Sequence, residues 1–255
     1  MPSFIEVLGR QIPIYGICYL SGIILSFLVA TLICTKKGLP RYEVLYSGIF
    51  AVVGGLIGAK LLYILISLED IITAKLSLWS VINGGFVFYG GFIGGALGLL
   101  IYVKSFKLNL TDFTDVYAVA IPLGHALGRI GCLFGGCCYG MPYNGPFAVT
   151  YSENTLSNAP KNIPLLPIQG IEAGLLIVLF IILLIIYFKS KGKNTTLIGY
   201  FFGYSVIRFV LEYFRYDSAR GKLWIFSTSQ WISIGLFLVG VLVTVIKIKT
   251  EKSKE

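Results

Sequence analysis

Two arginines and one histidine stand out in this sequence because long apolar stretches surround them. His125 precedes Arg129 by four residues, and Arg208 precedes Glu212 by four, so each pair shares one face of a helix. A guanidinium keeps its charge outside water and offers paired donors to a phosphate. A histidine near its ordinary pKa can take a proton from a thiol. The chemistry predicted is phosphate binding beside a base, with structural ion pairing as the alternative, above all for Arg208.

Three cysteines follow these residues along the chain. Cys132 continues the helical face of His125 and Arg129, and Cys137 and Cys138 come directly after a Gly-Gly pair. They are interpreted as small inert residues, with reactive thiols or a disulfide as alternatives. Five cysteines are an odd number without metal-ligand spacing, so the sequence predicts no disulfide framework, no metal site and no cofactor.

The elements that must hold these residues are membrane-spanning helices. Hydrophobic residues make up 56% of the 255 residues and charged residues 13%, whereas soluble domains have about 25% charged residues. The net charge of +9 is attributed to lysines flanking the spans, and no nucleic-acid partner is expected. The predicted fold class is an all-α polytopic membrane protein with seven transmembrane helices, at residues 14–34, 45–68, 86–103, 113–134, 171–188, 197–214 and 229–246.

The basic residues of the connecting loops predict the orientation. Twelve lie on one side of the spans and six on the other, so the N-terminus is expected outside and the C-terminus in the cytoplasm. Residues 1–255 are predicted to form a single membrane domain. Residues 139–169 contain five prolines and are predicted to be an irregular extracytoplasmic loop.

The polar residues within the spans are expected at one leaflet. Lys60, Arg129 and Arg208 all fall toward predicted outer ends, as do Tyr15, Tyr89, Gln169 and Glu172. A transporter or channel needs polar lining through the midplane. The pattern instead predicts a polar, positively biased cavity at the outer leaflet, suited to a lipid headgroup. Lys60 is interpreted as a lysine that reaches outward to the interface.

Glycines at helical spacing predict close helix packing. Gly54 and Gly58 lie four residues apart in the second span, and the third and fourth spans carry similar series. Small residues at this spacing let helix backbones approach each other in lipid.

The segment Gly128-Arg-Ile-Gly-Cys-Leu-Phe-Gly-Gly-Cys-Cys-Tyr-Gly140 resembles the motif of prolipoprotein diacylglyceryl transferases. The resemblance extends over nearly the whole chain. Further segments agree in order and spacing: Ile14-Tyr-Gly, Gly54-Gly-Leu-Ile-Gly58, Gly84-Gly-Phe-Val-Phe-Tyr-Gly-Gly-Phe-Ile-Gly94, Pro167-Ile-Gln169 with Glu172, and Arg208-Phe-Val-Leu-Glu212 followed by Tyr-Phe-Arg215.

The resemblance implies a multi-pass enzyme of the bacterial cytoplasmic membrane. Such an enzyme moves the diacylglyceryl group of phosphatidylglycerol, in the outer leaflet, to the lipobox cysteine thiol of an exported prolipoprotein. A thioether forms and glycerol phosphate is released. By matching position, the resemblance implies that Arg129 binds the phospholipid, that Arg208 is a second functional arginine, and that Tyr15 lies near the lipid. Substrate binding is likewise expected of Gln169, Glu212 and Gly140.

Three positions depart from the family pattern. Tyr89 stands where the family has histidine before Gly-Gly, Cys132 where it has asparagine, and Cys137 where it has glutamate. A tyrosine, with an ordinary pKa of about 10, is a poor base at neutral pH. His125 is therefore the other candidate, and the catalytic residues expected are Tyr89, His125 and Arg208.

The departures leave two alternative functions open. One is a divergent relative with a different acceptor or with lipid binding only. The other is a membrane thiol-redox protein that uses Cys132, Cys137 and Cys138.

Overall fold

Helices dominate the computed structural model, which describes residues 3–7, 9–73, 77–153, 157, 159–190, 192–217 and 221–252. The hairpin of β1 (Phe4–Val7) and β2 (Arg10–Pro13) leads into α1 (Ile14–Ile33) and a 3-10 turn at Cys34–Lys37. The next helices are α2 (Arg41–Ile66), α3 (Leu68–Ile72), α4 (Leu78–Asn83), α5 (Phe88–Ser105) and α6 (Leu110–Gly135).

The second half of the chain continues with short strands and three long helices. The antiparallel strands β3 (Val149–Thr150) and β4 (Pro164–Leu165) lead to α7 (Ile168–Lys189) and α8 (Thr195–Leu211), which ends in a 3-10 turn at Glu212–Phe214. The strands β5 (Lys222–Leu223) and β6 (Phe226–Ser227) precede α9 (Thr228–Lys252).

Six described helices are long and apolar enough to cross a membrane: Ile14–Lys37, Arg41–Ile66, Leu110–Gly135, Ile168–Lys189, Thr195–Phe214 and Thr228–Lys252. The prediction of an all-α polytopic membrane protein is therefore confirmed. The helix α5 coincides with the third predicted span but is not among the six. A seventh span and the orientation of the termini stay predictions.

Backbone contacts divide the chain into two compact units. The first unit contains Met1–Ala30 and Thr114–Glu255, and the second contains Thr31–Phe113. One membrane domain over residues 1–255 stays a prediction, as does the extracytoplasmic location of residues 139–169. The described part of that segment is largely irregular, with β3 and β4 as its paired strands.

In the second unit, α2 and α5 pack backbone against backbone through glycines. A Cβ atom added to Gly54 would collide with the carbonyl oxygen of Gly94, and one added to Gly58 would collide with that of Gly90. The glycine packing predicted for these two helices is therefore confirmed.

Lys60 binds the end of a helix in the second unit. Its Nζ donates to the carbonyl oxygens of Val81 at 2.6 Å, Ile82 at 2.8 Å and Gly84 at 3.1 Å. These carbonyls belong to the last turn and the C-cap of α4. Carbonyl groups at the end of a helix have no N–H partner within the helix, and their partial negative charge attracts a cation. The interpretation of Lys60 as a lysine that reaches outward to the interface stays a prediction, and the end of α4 is what its ammonium group binds.

In the first unit, Asp115 of α6 holds the beginning of α8. Its Oδ1 accepts hydrogen bonds from the backbone N–H groups of Thr196 at 3.1 Å and Leu197 at 3.2 Å, and from the Thr196 hydroxyl at 2.6 Å. The side chain is 1% exposed. This carboxylate thus satisfies orphan donors at a helix N-terminus, a structural role that explains its burial in an apolar helix.

Candidate functional site

Arg129 of α6, Glu172 of α7 and Arg208 of α8 form a buried cluster in the first unit. Arg129 Nε lies 3.1 Å from Glu172 Oε1, and Arg208 Nη1 lies 3.7 Å from Glu172 Oε2. Arg208 Nη2 lies 2.8 Å from Glu212 Oε2 and donates to Ser229 Oγ at 2.9 Å. One carboxylate from α7 therefore bridges arginines from two other helices.

The cluster continues beyond α8 through Arg215 and Asp217. Arg215 Nη1 lies 3.7 Å from Glu212 Oε2, and Arg215 Nη2 lies 3.2 Å from Asp217 Oδ2. We call the six residues the ion-pair chain: Arg129, Glu172, Arg208, Glu212, Arg215 and Asp217. Their formal charges cancel, so the positive bias expected from the sequence is not found among these six side chains.

Burial makes the ion-pair chain dependent on all its members. The side chain of Glu172 is 2% exposed, that of Arg208 9% and that of Arg129 14%. Removing a charge from water is costly unless an opposite charge and hydrogen bonds replace the water. Loss of one member would leave its neighbours as uncompensated buried charges.

Two guanidinium nitrogen atoms of the ion-pair chain can each donate a further hydrogen bond. Arg208 Nη1 and Arg215 Nε are buried and form no hydrogen bond with any described residue. Buried donors in native proteins nearly always have an acceptor. These two atoms are therefore suited to an oxyanion that enters the site.

His125 lies beside Arg129 on the same helix. Arg129 Nε donates to His125 Nε2 at 3.3 Å, and the His125 ring meets the Tyr204 ring edge to face at 5.2 Å. The predicted shared face of His125 and Arg129 is confirmed as a contact. The arginine occupies the lone pair that a general base would use, so proton transfer to His125 requires this hydrogen bond to open.

Cys132, Cys137 and Cys138 come together at the end of α6. Their sulfur atoms all lie within 4.8 Å of one another, and all three residues are free thiols. The helix ends at Gly135, Gly136 takes a φ of +64°, and the Cys137 N–H donates to the Cys132 carbonyl at 3.2 Å. This reversal is the glycine-dependent helix stop, and it folds the two later cysteines back over the first.

The groups around the Cys138 thiol favour its deprotonated form. Hydrogen bonds from the Cys132 and Cys137 thiols, with the positive charges of Arg215 and Arg129, hold the pKa of Cys138 below its usual value. The cluster and the ion-pair chain are thus electrostatically coupled.

Gln169 and Gly140 hold the chain segment that follows α6. Gln169, 1% exposed, donates from Nε2 to the Cys137 carbonyl at 2.7 Å. Gly140 forms a backbone bridge with Arg215, and a Cβ atom there would collide with the Leu166 carbonyl. Both residues therefore position the cysteine turn and Arg215, and their predicted contact with substrate stays a prediction.

The two tyrosines predicted for the site lie on different units. Tyr15, at the beginning of α1, is 44% exposed, stacks on Tyr19 and packs its backbone against Gly131 of α6. Tyr89 lies near the beginning of α5 in the second unit and is 39% exposed. The structure thus brings Tyr15 next to α6 and describes Tyr89 within the second unit only.

Sequence reasoning missed the extension of the site beyond Glu212. From the sequence, no role is predicted for Arg215, Asp217 or Ser229. The spacing of Glu212 and Arg215, three residues apart, was the available signal.

The apolar helices and the charged groups buried among them define a multi-pass membrane protein with a polar site in its helical bundle. Residues 2–246 match the family model described as prolipoprotein diacylglyceryl transferase. The chain belongs to this family, and it is accordingly a transferase of the lipoprotein-biosynthesis class. The resemblance, the enzyme class and the localisation in a bacterial membrane predicted from the sequence are confirmed.

Individual relatives cover almost the full chain. The phosphatidylglycerol–prolipoprotein diacylglyceryl transferase 2 of Clostridium perfringens is 33% identical over 237 residues, 93% of this chain and 91% of the relative. The phosphatidylglycerol–prolipoprotein diacylglyceryl transferase of Clostridium tetani is 32% identical over 243 residues, 95% and 96% of the two chains. A similarly named protein of Campylobacter jejuni subsp. doylei is 32% identical over 253 residues, 93% and 90%.

Proposed function

We propose that this chain transfers the diacylglyceryl group of phosphatidylglycerol to the lipobox cysteine of a prolipoprotein. The substrate names in its relatives support the two substrates. The acceptor sulfur forms a bond to the glyceryl carbon, the bond from that carbon to the phosphate oxygen breaks, and glycerol phosphate leaves. The thiol proton leaves through the base and ends on the released phosphate or in solvent.

The observation that carries the proposal is that two buried guanidinium nitrogen atoms of the ion-pair chain form no hydrogen bond with the described residues. Arg208 Nη1 and Arg215 Nε have no hydrogen bond with the described residues, and Glu172 holds Arg129 and Arg208 on either side of itself. A phosphodiester oxygen that accepts from these donors gains charge-assisted hydrogen bonds. As the carbon–oxygen bond breaks, negative charge grows on the phosphate, and donors already fixed in place stabilise it without reorganisation.

The carboxylates have a defined task in this mechanism. Without a lipid, Glu172, Glu212 and Asp217 neutralise arginines that would otherwise be unpaired within an apolar bundle. They also fix each guanidinium in one orientation. The site is thereby organised before the phosphate arrives, which lowers the cost of binding.

The base is His125 or Tyr89. His125 is in contact with Arg129, which supports a role near the phosphate. Tyr89 occupies the position of the family's histidine according to the sequence resemblance. The roles of Tyr15, Gln169, Glu212 and Gly140 in substrate binding are part of the same proposal.

The outer leaflet is the proposed location of the phospholipid. The ion pairs join the C-terminal parts of α6 and α8 to the N-terminal part of α7, so the charges gather at one end of these helices. The distribution of basic residues in the loops favours the extracytoplasmic side for that end. The proline-rich segment 139–169 then admits the lipobox peptide.

The test measures transfer directly with purified full-length protein in vesicles containing phosphatidylglycerol. A lipobox peptide is added, and the thioether product is quantified by mass spectrometry. Arg129→Gln should abolish product formation while the protein still inserts, and Arg10→Gln, a change at an exposed arginine of β2, should retain wild-type activity. Full activity of Arg129→Gln would overturn the phosphate role.

The same experiment separates transfer from lipid binding alone. If the wild-type protein binds phosphatidylglycerol but forms no thioether with any cysteine peptide, the chain is a lipid-binding relative and the transfer proposal is wrong.

A further inference from the structure

The thiols of Cys132, Cys137 and Cys138 form a group that the phosphate chemistry does not use. Their three sulfur atoms lie within 4.8 Å of one another, although the residues are separated by up to six positions in the sequence. Cys132 is 9% exposed, whereas Cys137 is exposed. The group is therefore buried at Cys132 and accessible from outside the protein at Cys137.

The backbone conformation around Cys137 keeps the three thiols close together. Gly136 has a left-handed φ of +64°, and a Cβ atom on it would collide with the side chain of Ser157. Cys138 also has a positive φ, of +56°, which costs a residue with a side chain some free energy. The Gln169 amide and the Cys132 carbonyl both bind the Cys137 backbone.

We propose that Cys132, Cys137 and Cys138 bind one thiophilic d10 cation of the zinc class through three thiolates, and that its fourth coordination position is open. Sulfur ligands select zinc and similar soft cations over calcium or magnesium. Tetrahedral zinc accepts three protein ligands and one exchangeable ligand, which is the arrangement of sites that react with external molecules.

The ligand set explains why the fourth position is open. The cluster contains the three sulfur atoms and, within the described residues, no histidine nitrogen or carboxylate oxygen at the same spacing. The exposure of Cys137 gives access from outside the protein. An external thiol that binds there gives up its proton to solvent and becomes a fourth thiolate ligand.

The proposed complex carries a small net charge. Three thiolates and a divalent cation sum to −1, and the charged side chains that act on Cys138 are Arg215, Arg129 and Asp217. A fourth thiolate would bring the sum to −2. The metal site does not depend on the proposed transferase function. The external thiol at its fourth position belongs to the same chemical class as the lipobox cysteine, the acceptor in that function.

A disulfide is the competing use of the same residues. Any two of the three sulfurs would need an oxidant to pair, and a pair would remove two of the three ligands. Metal binding and disulfide formation therefore exclude each other, and one experiment distinguishes them.

The experiment uses the full-length protein in detergent, reduced and kept under anaerobic conditions, with Co²⁺ as the spectroscopic probe. One equivalent should bind, with sulfur-to-cobalt charge-transfer absorption and a tetrahedral visible spectrum, and Zn²⁺ should displace it. Cys132→Ser, Cys137→Ser and Cys138→Ser should each lower the affinity by about tenfold or more. Cys34→Ser, a change in the second unit, should leave the titration unchanged.

A small cysteine-containing peptide tests the open position. Its addition to the Co²⁺-loaded protein should raise the charge-transfer absorption by about one third, as three sulfur ligands become four. An unchanged spectrum would show that the fourth position is closed.

A second measurement does not rely on variants that must fold. Bound Zn²⁺ should slow the alkylation of Cys137 by iodoacetamide in the wild-type protein. The proposal is overturned if fully reduced protein binds no Co²⁺, if Zn²⁺ leaves alkylation unaffected, or if mass spectrometry finds a disulfide among the three cysteines in protein isolated under anaerobic conditions.

Discussion

The second unit holds its two long helices together by backbone contact, whereas the first unit joins its helices through buried charges. Between α2 and α5, Gly54, Gly58, Gly90 and Gly94 each lie against the carbonyl oxygen of a glycine on the other helix. Between α6, α7 and α8, the guanidinium groups of Arg129 and Arg208 meet the carboxylate of Glu172. Both arrangements work in lipid, where apolar surface alone gives helices little reason to associate.

The two kinds of contact serve different purposes. The glycine contacts hold helices together, and the buried ion pairs indicate a site for chemistry. A glycine contact gains dispersion energy and leaves no polar group unsatisfied, so it serves packing and offers a ligand nothing. A buried ion pair costs desolvation and is a weak source of stability, so its presence indicates another task. Substitutions at the glycine contacts should therefore lower stability alone, whereas substitutions in the ion-pair chain should lower both stability and catalysis.

Glu172→Gln should have the largest effect of the changes below. It leaves Arg129 and Arg208 buried without their shared carboxylate, which should cost about 3–5 kcal/mol of stability. Because the guanidinium groups also lose their fixed orientation, transfer should fall by about a hundredfold or more. Thermal unfolding in detergent and the thioether assay measure the two effects.

The matched control for Glu172→Gln is Glu69→Gln, at an exposed carboxylate of α3 in the second unit. Both variants lose one negative charge, so a general charge effect would appear in both. Wild-type stability and activity in Glu172→Gln would show that the ion-pair chain is dispensable.

His125→Ala and Tyr89→Phe compare the base candidates, one on each unit. Loss of a general base should lower the transfer rate by about a hundredfold. His125→Ala should also lower stability, because it removes the contacts of His125 with Arg129 and Tyr204. The larger loss identifies the base, and steady-state rates at saturating peptide measure it. Tyr46→Phe, at an exposed tyrosine of α2, is the control. If neither His125→Ala nor Tyr89→Phe slows transfer, the base lies elsewhere.

Gly58→Val should affect stability rather than chemistry. Its side chain would meet the backbone of Gly90 and Gly94, so α2 and α5 must separate, at a cost of about 1–3 kcal/mol. Thermal unfolding measures this loss. Gly174→Ala in α7 is the control, because its added Cβ has no atom within 4 Å. Equal melting temperatures for the two variants would contradict the close packing.

Lys60→Met should have the smallest effect. It removes three hydrogen bonds to the end of α4, one of them exposed, and should cost about 1–2 kcal/mol locally. Hydrogen exchange should become faster in residues 78–83, and transfer should change little. The same exchange rates in Lys60→Met as in the wild type would contradict the helix-end contact. Lys104→Met, at an exposed lysine of α5, is the control.

Much of the helical architecture was predictable because lipid imposes one strong rule. Every backbone polar group in the bilayer needs a partner within the chain, so apolar stretches of about 20 residues must be helical. The predicted spans therefore overlap α1, α2 and α5 to α9, with ends that differ by a few residues. The contact between His125 and Arg129 was predictable for a similar reason, since residues four apart meet on a helix.

The sequence by itself determined the helices, the arginine and histidine spacing, and the glycine faces, because these follow from local periodicity and from the cost of polar groups in lipid. Only the tertiary structure decided which charges meet between different helices. Glu172 reaches Arg129 and Arg208 from a third helix, Lys60 binds the end of α4, and a left-handed glycine gathers three thiols. Such contacts depend on how helices rotate and on how a turn reverses the chain, and spacing along the sequence encodes neither.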